Sequence, residues 1–395
     1  MKRFVTALSL SVLAPLGSLA EASVLDPLGH IHGLTFGGEQ RQTLLLGSHH
    51  GLYAYDATQP RLLSSQPFDI MGLSRDAGSQ TLFASGHPPA GGNTGLLRSS
   101  DGGRTFEQVS PGLDGPVDFH QLTVSASDPQ VIYGVHGSLQ VSRDGGESWT
   151  KTGQVPAKLL KLAASSLDSE RLYAASETGL LLSKDGGRNW ESLFPHPATT
   201  VRVDGDAVYA FVVGQGLIRA DEESLEWKAV ANRFGAQVLL DLAIAGDGQR
   251  LVGLNQFGAL VESLDAGRGW RSLPAKPAPV TAQAQQGKGL YETHCQSCHG
   301  IEAVGETYSI EGLTTPDFFF APALNGSMHG WHHTDEQLTQ TILEGSPRTE
   351  KMPAWKATLD QDDALAIIAY LKTFWGETQK RCQGPGHMDR ACLAQ

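Results

Sequence analysis

Over roughly the first two thirds of the chain, apolar residues fall in short runs bounded by turn residues, a pattern of many short strands. Four of these runs open on a glycine and close on one shared pattern, S-x-D-x-G-x-x-[WF]. The copies are Ser99 to Phe106, Ser142 to Trp149, Ser183 to Trp190 and Ser263 to Trp270. With two degenerate copies included, the opening glycines are Gly51, Gly95, Gly137, Gly179, Gly216 and Gly258, at spacings of 44, 42, 42, 37 and 42. A period near 42 built from short strands predicts propeller blades of about four strands each. Residues 23–275 span 253 positions, enough for about six such blades, or seven if one is badly degenerate. Within each copy the Asp is expected to accept backbone N–H bonds across a tight turn, and the Gly to take the positive φ that the turn needs. The aromatic residue is expected to tuck under the hairpin.

Beyond residue 280 the periodicity becomes helical. Ala364, Ile368, Leu371 and Trp375 form one apolar face, with Asp360 as N-cap, Asp363 in the first turn and Gly376 as a stop. A helix is expected near 335–344, opened by the capping box Thr334-x-x-Gln337 and closed by Gly345. Another is expected from Gly287 to His294. Between the two regimes, Pro274-Ala-Lys-Pro277-Ala-Pro279 and the Ala/Gln run after it predict a spacer. The fold class is therefore multidomain. An all-β propeller over 23–275 is followed by a linker at 276–286, an all-α domain at 287–376 and a tail at 377–395.

The N-terminus has the pattern of an export signal. Lys2 and Arg3 precede an apolar stretch from Phe4 to Leu19, and Ala20-Glu21-Ala22 is an A-x-A cleavage site, so cleavage is expected after Ala22. No later run is long enough to span a membrane, and the mature chain is expected in the periplasm. Thirty basic against forty-two acidic side chains give a net charge of −12, which argues against nucleic acid as a partner. The four cysteines, Cys295, Cys298, Cys382 and Cys392, all lie beyond residue 290.

Cys295-Gln-Ser-Cys298-His299 is C-x-x-C-H, the attachment sequence of haem c. Two thiols at that spacing can add to both vinyl groups of one haem, and the adjacent imidazole then reaches the iron. A redox dithiol is the other chemistry open to the pair. Met352-Pro353 lies far enough along the chain to supply a ligand from the opposite side, and Met328, His329, His332 and His333 form a second group of possible ligands. Cys382 and Cys392 are expected to form a disulfide that pins the tail, with metal binding beside His387 and Met388 as the alternative. In the propeller, His30, His32, His49, His50, His87, His120 and His136 crowd into residues 30–136. His30, His32, His87 and His120 are candidates for a metal or substrate site at one end of the central channel, and His49 and His50 are read as hairpin residues.

Two family resemblances follow from these motifs. The S-x-D-x-G-x-x-[WF] copies resemble the Asp-box (BNR) repeat of sialidases, sortilin-type receptors and photosystem assembly factors. In that family the box is a structural turn, and no R-I-P segment of the sialidase kind occurs here, so glycoside hydrolysis is not expected. Residues 285–376 resemble the small class I monohaem c-type cytochromes. That resemblance implies one covalent haem c on Cys295 and Cys298, with His299 as proximal and Met352 as distal ligand. It also implies a crossing of the first and last helices at Gly287, Tyr291 and Tyr370, and a carbonyl of the Pro322-Ala-Leu324 segment that orients the proximal imidazole. The expected function is that of an exported electron-transfer protein with an unidentified redox partner, whose propeller docks or positions that partner. The alternative is a periplasmic oxidoreductase whose propeller histidines hold a metal or substrate while the haem relays electrons. From Gly287 to Gly376 five basic and twelve acidic residues give −7, a surface that would steer basic or copper-protein partners.

Overall fold

A computed structural model describes residues 28, 30–56, 59–232, 234, 237–256, 258–273, 281–306, 319–325, 329–375 and 377–384. The expected signal segment 1–22, Met328, Gly376, His387, Met388 and Cys392 lie outside the described residues. Among the described residues twenty-four strands form six four-stranded antiparallel sheets, each made of four consecutive strands. The blades occupy residues 31–62, 69–110, 121–151, 159–194, 198–231 and 239–273.

Burial explains the strand composition. The second strand of a blade is sandwiched between its neighbours, so Leu172–Ser176, Ala207–Val212 and Leu251–Asn255 are buried along their whole length. They are accordingly near-continuous in Leu, Val and Ala. The outermost strands face water and carry Thr150–Lys151 and Lys228–Ala231. The innermost strands line the channel and mix polar with apolar residues. Lys161 of blade 4 pairs with buried Asp241 of blade 6 at 2.7 Å, and Arg41 of blade 1 pairs with Asp204 of blade 5. Among the described residues no strand is exchanged between the first and last blades. The ring closes instead through Leu34 N–H donating to the Asp241 carboxylate at 3.0 Å and Gly246 N–H donating to Arg41 O at 3.2 Å.

The four boxes fold as one turn. In each, the hydroxyl of Ser99, Ser142, Ser183 or Ser263 accepts the N–H of Gly103, Gly146, Gly187 or Gly267 at 2.8 Å. Those glycines all have φ between 85° and 98°. The Asp carboxylate accepts N–H groups further round the turn, from Thr105, Ser148, Asn189 and Gly269. Trp149 and Trp270 are buried beneath their turns and donate to Gly146 O and Gly267 O. The serine anchor is as constant as the Asp, although only the Asp's role was anticipated.

The C-terminal part is helical: α1 (Ala282–His294), α2 (Gln296–His299), α3 (Asp335–Glu344) and α4 (Gln361–Leu371). α1 begins at Ala282, ahead of the expected Gly287, because the Thr281 hydroxyl caps Ala284 N–H and the Ala/Gln run is compatible with a helix. α3 and α4 start in the expected capping boxes, Thr334/Gln337 and Asp360/Asp363. α4 stops at Leu371 and tightens into a 3₁₀ turn, so Trp375 lies past its end. The Trp375 side chain is still buried, and its indole N–H donates to Leu324 O at 2.8 Å. α1 crosses α4 with the Tyr291 and Tyr370 rings 5.4 Å apart. At that crossing a Cβ on Gly287 would lie 1.7 Å from Ala366 O, so only glycine fits. Among the described residues no helix is long and apolar enough to cross a membrane.

Candidate functional site

α1 delivers the C-x-x-C-H segment into the helical core. Cys295 ends α1 and is buried, Cys298 is exposed, and neither thiol is bridged. Burial, reinforced by the neighbouring Cys298, pushes the Cys295 thiol up to about 11. His299 closes α2 and is buried; its ring Nδ1 lies 2.9 Å from Pro322 O. A carbonyl only accepts, so Nδ1 carries the proton and Nε2 keeps its lone pair. Burial holds the imidazole below its usual range and therefore neutral. This is the contact expected of the proline segment. The Tyr291 hydroxyl donates to Gly300 O at 2.8 Å and ties α1 to the chain just past His299. Two unbridged thiols and a neutral, oriented imidazole within five residues are a donor set suited to haem c.

Met352 is half-buried in the loop between α3 and α4, where its carbonyl accepts Ser346 N–H at 3.1 Å. In the competing group of possible ligands, the His332 ring packs against Trp331 at 4.4 Å, and the His333 carbonyl accepts from the Gln383 side chain at 2.9 Å. Cys382 is fully buried and disulfide-bonded.

The segment after His299 docks on the propeller. Ile301 packs against the apolar cluster of blades 5 and 6 that includes Phe234 and Trp270. The Ser272 hydroxyl of blade 6 donates to the Glu302 carboxylate at 2.5 Å. The attachment segment is thus held within three residues of the inter-domain contact.

The propeller histidines meet at one end of the channel, but not as a single four-histidine set. His32 groups with His49 and Asp69, and His87 with Asp118 and His120. His30 lies beside the first group, its ring centroid 5.3 Å from that of His49 and 6.3 Å from that of His32. His49 sits in the hairpin turn, as expected, and from there its Nδ1 lies 2.9 Å from Asp69 Oδ1 and its Nε2 lies 3.4 Å from His32 Nε2. His50 is an exposed turn residue, as expected. The pairing register jumps from Ile31 to Gly33, so His32 stands at a bulge, a feature that re-aims a side chain. Asp69 and His87 are register partners and join the two groups. Asp69 escaped the sequence reading because it lies 20 positions from His49; Asp118, although only two positions before its partner His120, also meets His87 31 positions away.

Residues 282–371 match the family model described as "Cytochrome C oxidase, cbb3-type, subunit III", and residues 140–151 match the BNR/Asp-box repeat. No curated relative matches the sequence. Solved structures similar to the chain include the GH74 xyloglucanase from Xanthomonas campestris, at 18% identity and a TM-score of 0.43, over 69% of this chain and 48% of that one. YCF48 from Cyanidioschyzon merolae is similar at 18% identity and a TM-score of 0.38, over 62% of this chain and 85% of that one. The chain thus spans about half the length of the xyloglucanase.

Proposed function

We propose that this chain, an Asp-box β-propeller joined to a cytochrome c domain, is an exported electron carrier with one covalently attached haem c. The observation that carries the reading is the buried His299 imidazole, oriented by Pro322 O and set one residue after two unbridged thiols. Cys295 and Cys298 form the thioether links, His299 is the proximal ligand and Met352 the distal one. The bound group supplies one-electron exchange. The protein's part would be to hold His299 and Met352 in place and limit water. Pro322 O fixes the tautomer of His299, while Tyr291, Ile367, Ile368 and Leu371 form the apolar core behind the attachment helix. The net charge of −7 between Gly287 and Gly376 favours a basic partner surface. The propeller, anchored to the attachment segment through Ile301 and Glu302, positions that partner. Export places the mature chain in the periplasm, where haem c is attached.

The test is expression in a host that matures haem c in its periplasm. One haem per chain should survive denaturing electrophoresis, and C295A/C298A should abolish it. M352A should keep the haem but let the reduced protein bind carbon monoxide. A chain without covalent haem would sink the reading and leave a dithiol. An M352A protein that still excludes carbon monoxide would move the distal role to His332 or His333.

A further inference from the structure

We propose that His87, Asp118 and His120 form a binding site for one divalent transition-metal ion of the copper(II)/zinc class, separate from the haem. His87 ends the second strand of blade 2, and Asp118 and His120 lead into the innermost strand of blade 3, Gln121–Val124. The ligand atoms of the three lie within 4.8 Å of one another.

The hydrogen bonds around them close only with a positive charge in the site, either a second proton on His87 or a metal ion. His87 Nδ1 lies 2.9 Å from Gly92 O, so that nitrogen carries a proton. In the neutral ring Nε2 is then an acceptor, yet it faces another acceptor, Asp118 Oδ2, at 3.1 Å. His120 Nε2 approaches the same oxygen at 2.7 Å. The second oxygen, Oδ1, is buried with no hydrogen-bond partner, and the Asp118 side chain is only 7% exposed. A buried carboxylate left half unsatisfied is costly unless a positive charge shares the site. One ion shared by Asp118 and the two imidazoles removes the clash of acceptors at Oδ2 and sets a positive charge beside the buried carboxylate.

Spacing and chemistry agree. Ligand atoms about 2.0–2.1 Å from one ion are about 2.9 Å apart when cis in a tetragonal site and about 3.3 Å apart in a tetrahedral one. The observed 2.7 and 3.1 Å straddle the tetragonal value. Imidazole with carboxylate suits copper(II) and zinc, whereas calcium and magnesium take oxygen shells. Asp118 is positioned in advance: its backbone carbonyl meets the His136 ring at 3.0 Å, and the next N–H, of Phe119, donates to the buried Ser85 hydroxyl at 2.9 Å. His120 is 59% exposed and gives the ion a way in. The other charged or titratable groups close by are Asp69, the register partner of His87, and His32 and His49 beyond it.

The experiment uses the full-length, haem-loaded protein, stripped with chelator and titrated separately with Cu²⁺ and Zn²⁺. The bound ion is counted after desalting, and the melting temperature is followed with and without it. The wild type should retain one equivalent beyond the haem iron and melt higher with it. Copper bound there should show nitrogen couplings from two imidazoles in its electron paramagnetic resonance spectrum. D118N and H87A/H120A should lose that equivalent and the melting shift, with the Soret spectrum unchanged. H120A, at an exposed position, tests the site if the buried change impairs folding, and it should bind ~10-fold more weakly or worse. Retention of neither metal by the wild type overturns the proposal. So does equal retention by H87A/H120A, which would assign the ion to His30, His32 and His49.

Discussion

Replacing Gly287 with Ala tests how the helical domain is held together. A Cβ there would sit 1.7 Å from Ala366 O, whereas ordinary contact begins at 3.4 Å. The obstacle is helix backbone, so no side chain can swing aside. α1 and α4 would have to part by nearly the missing distance, loosening Tyr291, Ile367 and Tyr370 together. Overpacking of a tight core costs ~1–3 kcal/mol and occasionally more, and this contact belongs at the upper end, about 3 kcal/mol. For a domain of this size that lowers the melting temperature by about 12 °C or more. Gly289, on the same helix with nothing within 4 Å of its added Cβ, is the internal control. There Ala should stabilise by ~0.5–1 kcal/mol, because a free helical glycine has only its flexibility to lose. Thermal and guanidinium unfolding of both variants, followed by Soret absorbance, reports this domain separately from the propeller. If G287A stayed within ~0.5 kcal/mol of wild type, or G289A fell as far as G287A, the close crossing would not be what α1 requires.

Three further outcomes are expected. S142A leaves the buried Gly146 N–H without its acceptor and should cost the propeller ~1–3 kcal/mol in guanidinium unfolding. A266G should stabilise blade 6 by up to ~1 kcal/mol, since Ala266 holds φ 60° where the other boxes have Gly102, Gly145 and Gly186; the readout is the same unfolding curve. For acid stability the relevant groups are the box carboxylates. Burial is the largest single influence on Asp101 and raises it, but hydrogen bonds from Thr105, Ser99 and Arg104 together outweigh it; the Ser148 hydroxyl and N–H lower Asp144, and the Asn189 N–H and amide lower Asp185, each to about 2. Folded values below the unfolded ~3.9 mean that this stabilisation is complete above about pH 4 and is lost as pH falls through about 2. The propeller's denaturation midpoint should drop across that window, and D144N should flatten the drop.

The local chemistry of this chain is written in short stretches of sequence. Each box is a turn whose Ser, Asp and Gly bond to one another within five residues, so its repetition was enough to reveal the blades, while the choice of six over seven came from the structure. Capping boxes at Thr334 and Asp360 are likewise local, and α3 and α4 begin where they place them. The C-x-x-C-H donors are adjacent in sequence, so the candidate haem site was legible without a structure. What tertiary packing alone decided joins residues far apart. Asp118 reaches His87 across two blades, Asp69 braces His49 across a turn and a blade boundary, and a bulge in blade 1 carries His32. The docking of Ile301 and Glu302 against blade 6 was equally hidden. Period and pattern record what a residue does to its neighbours within a turn or two. Which distant side chains share a charge or a lone pair depends on how the blades close into a ring.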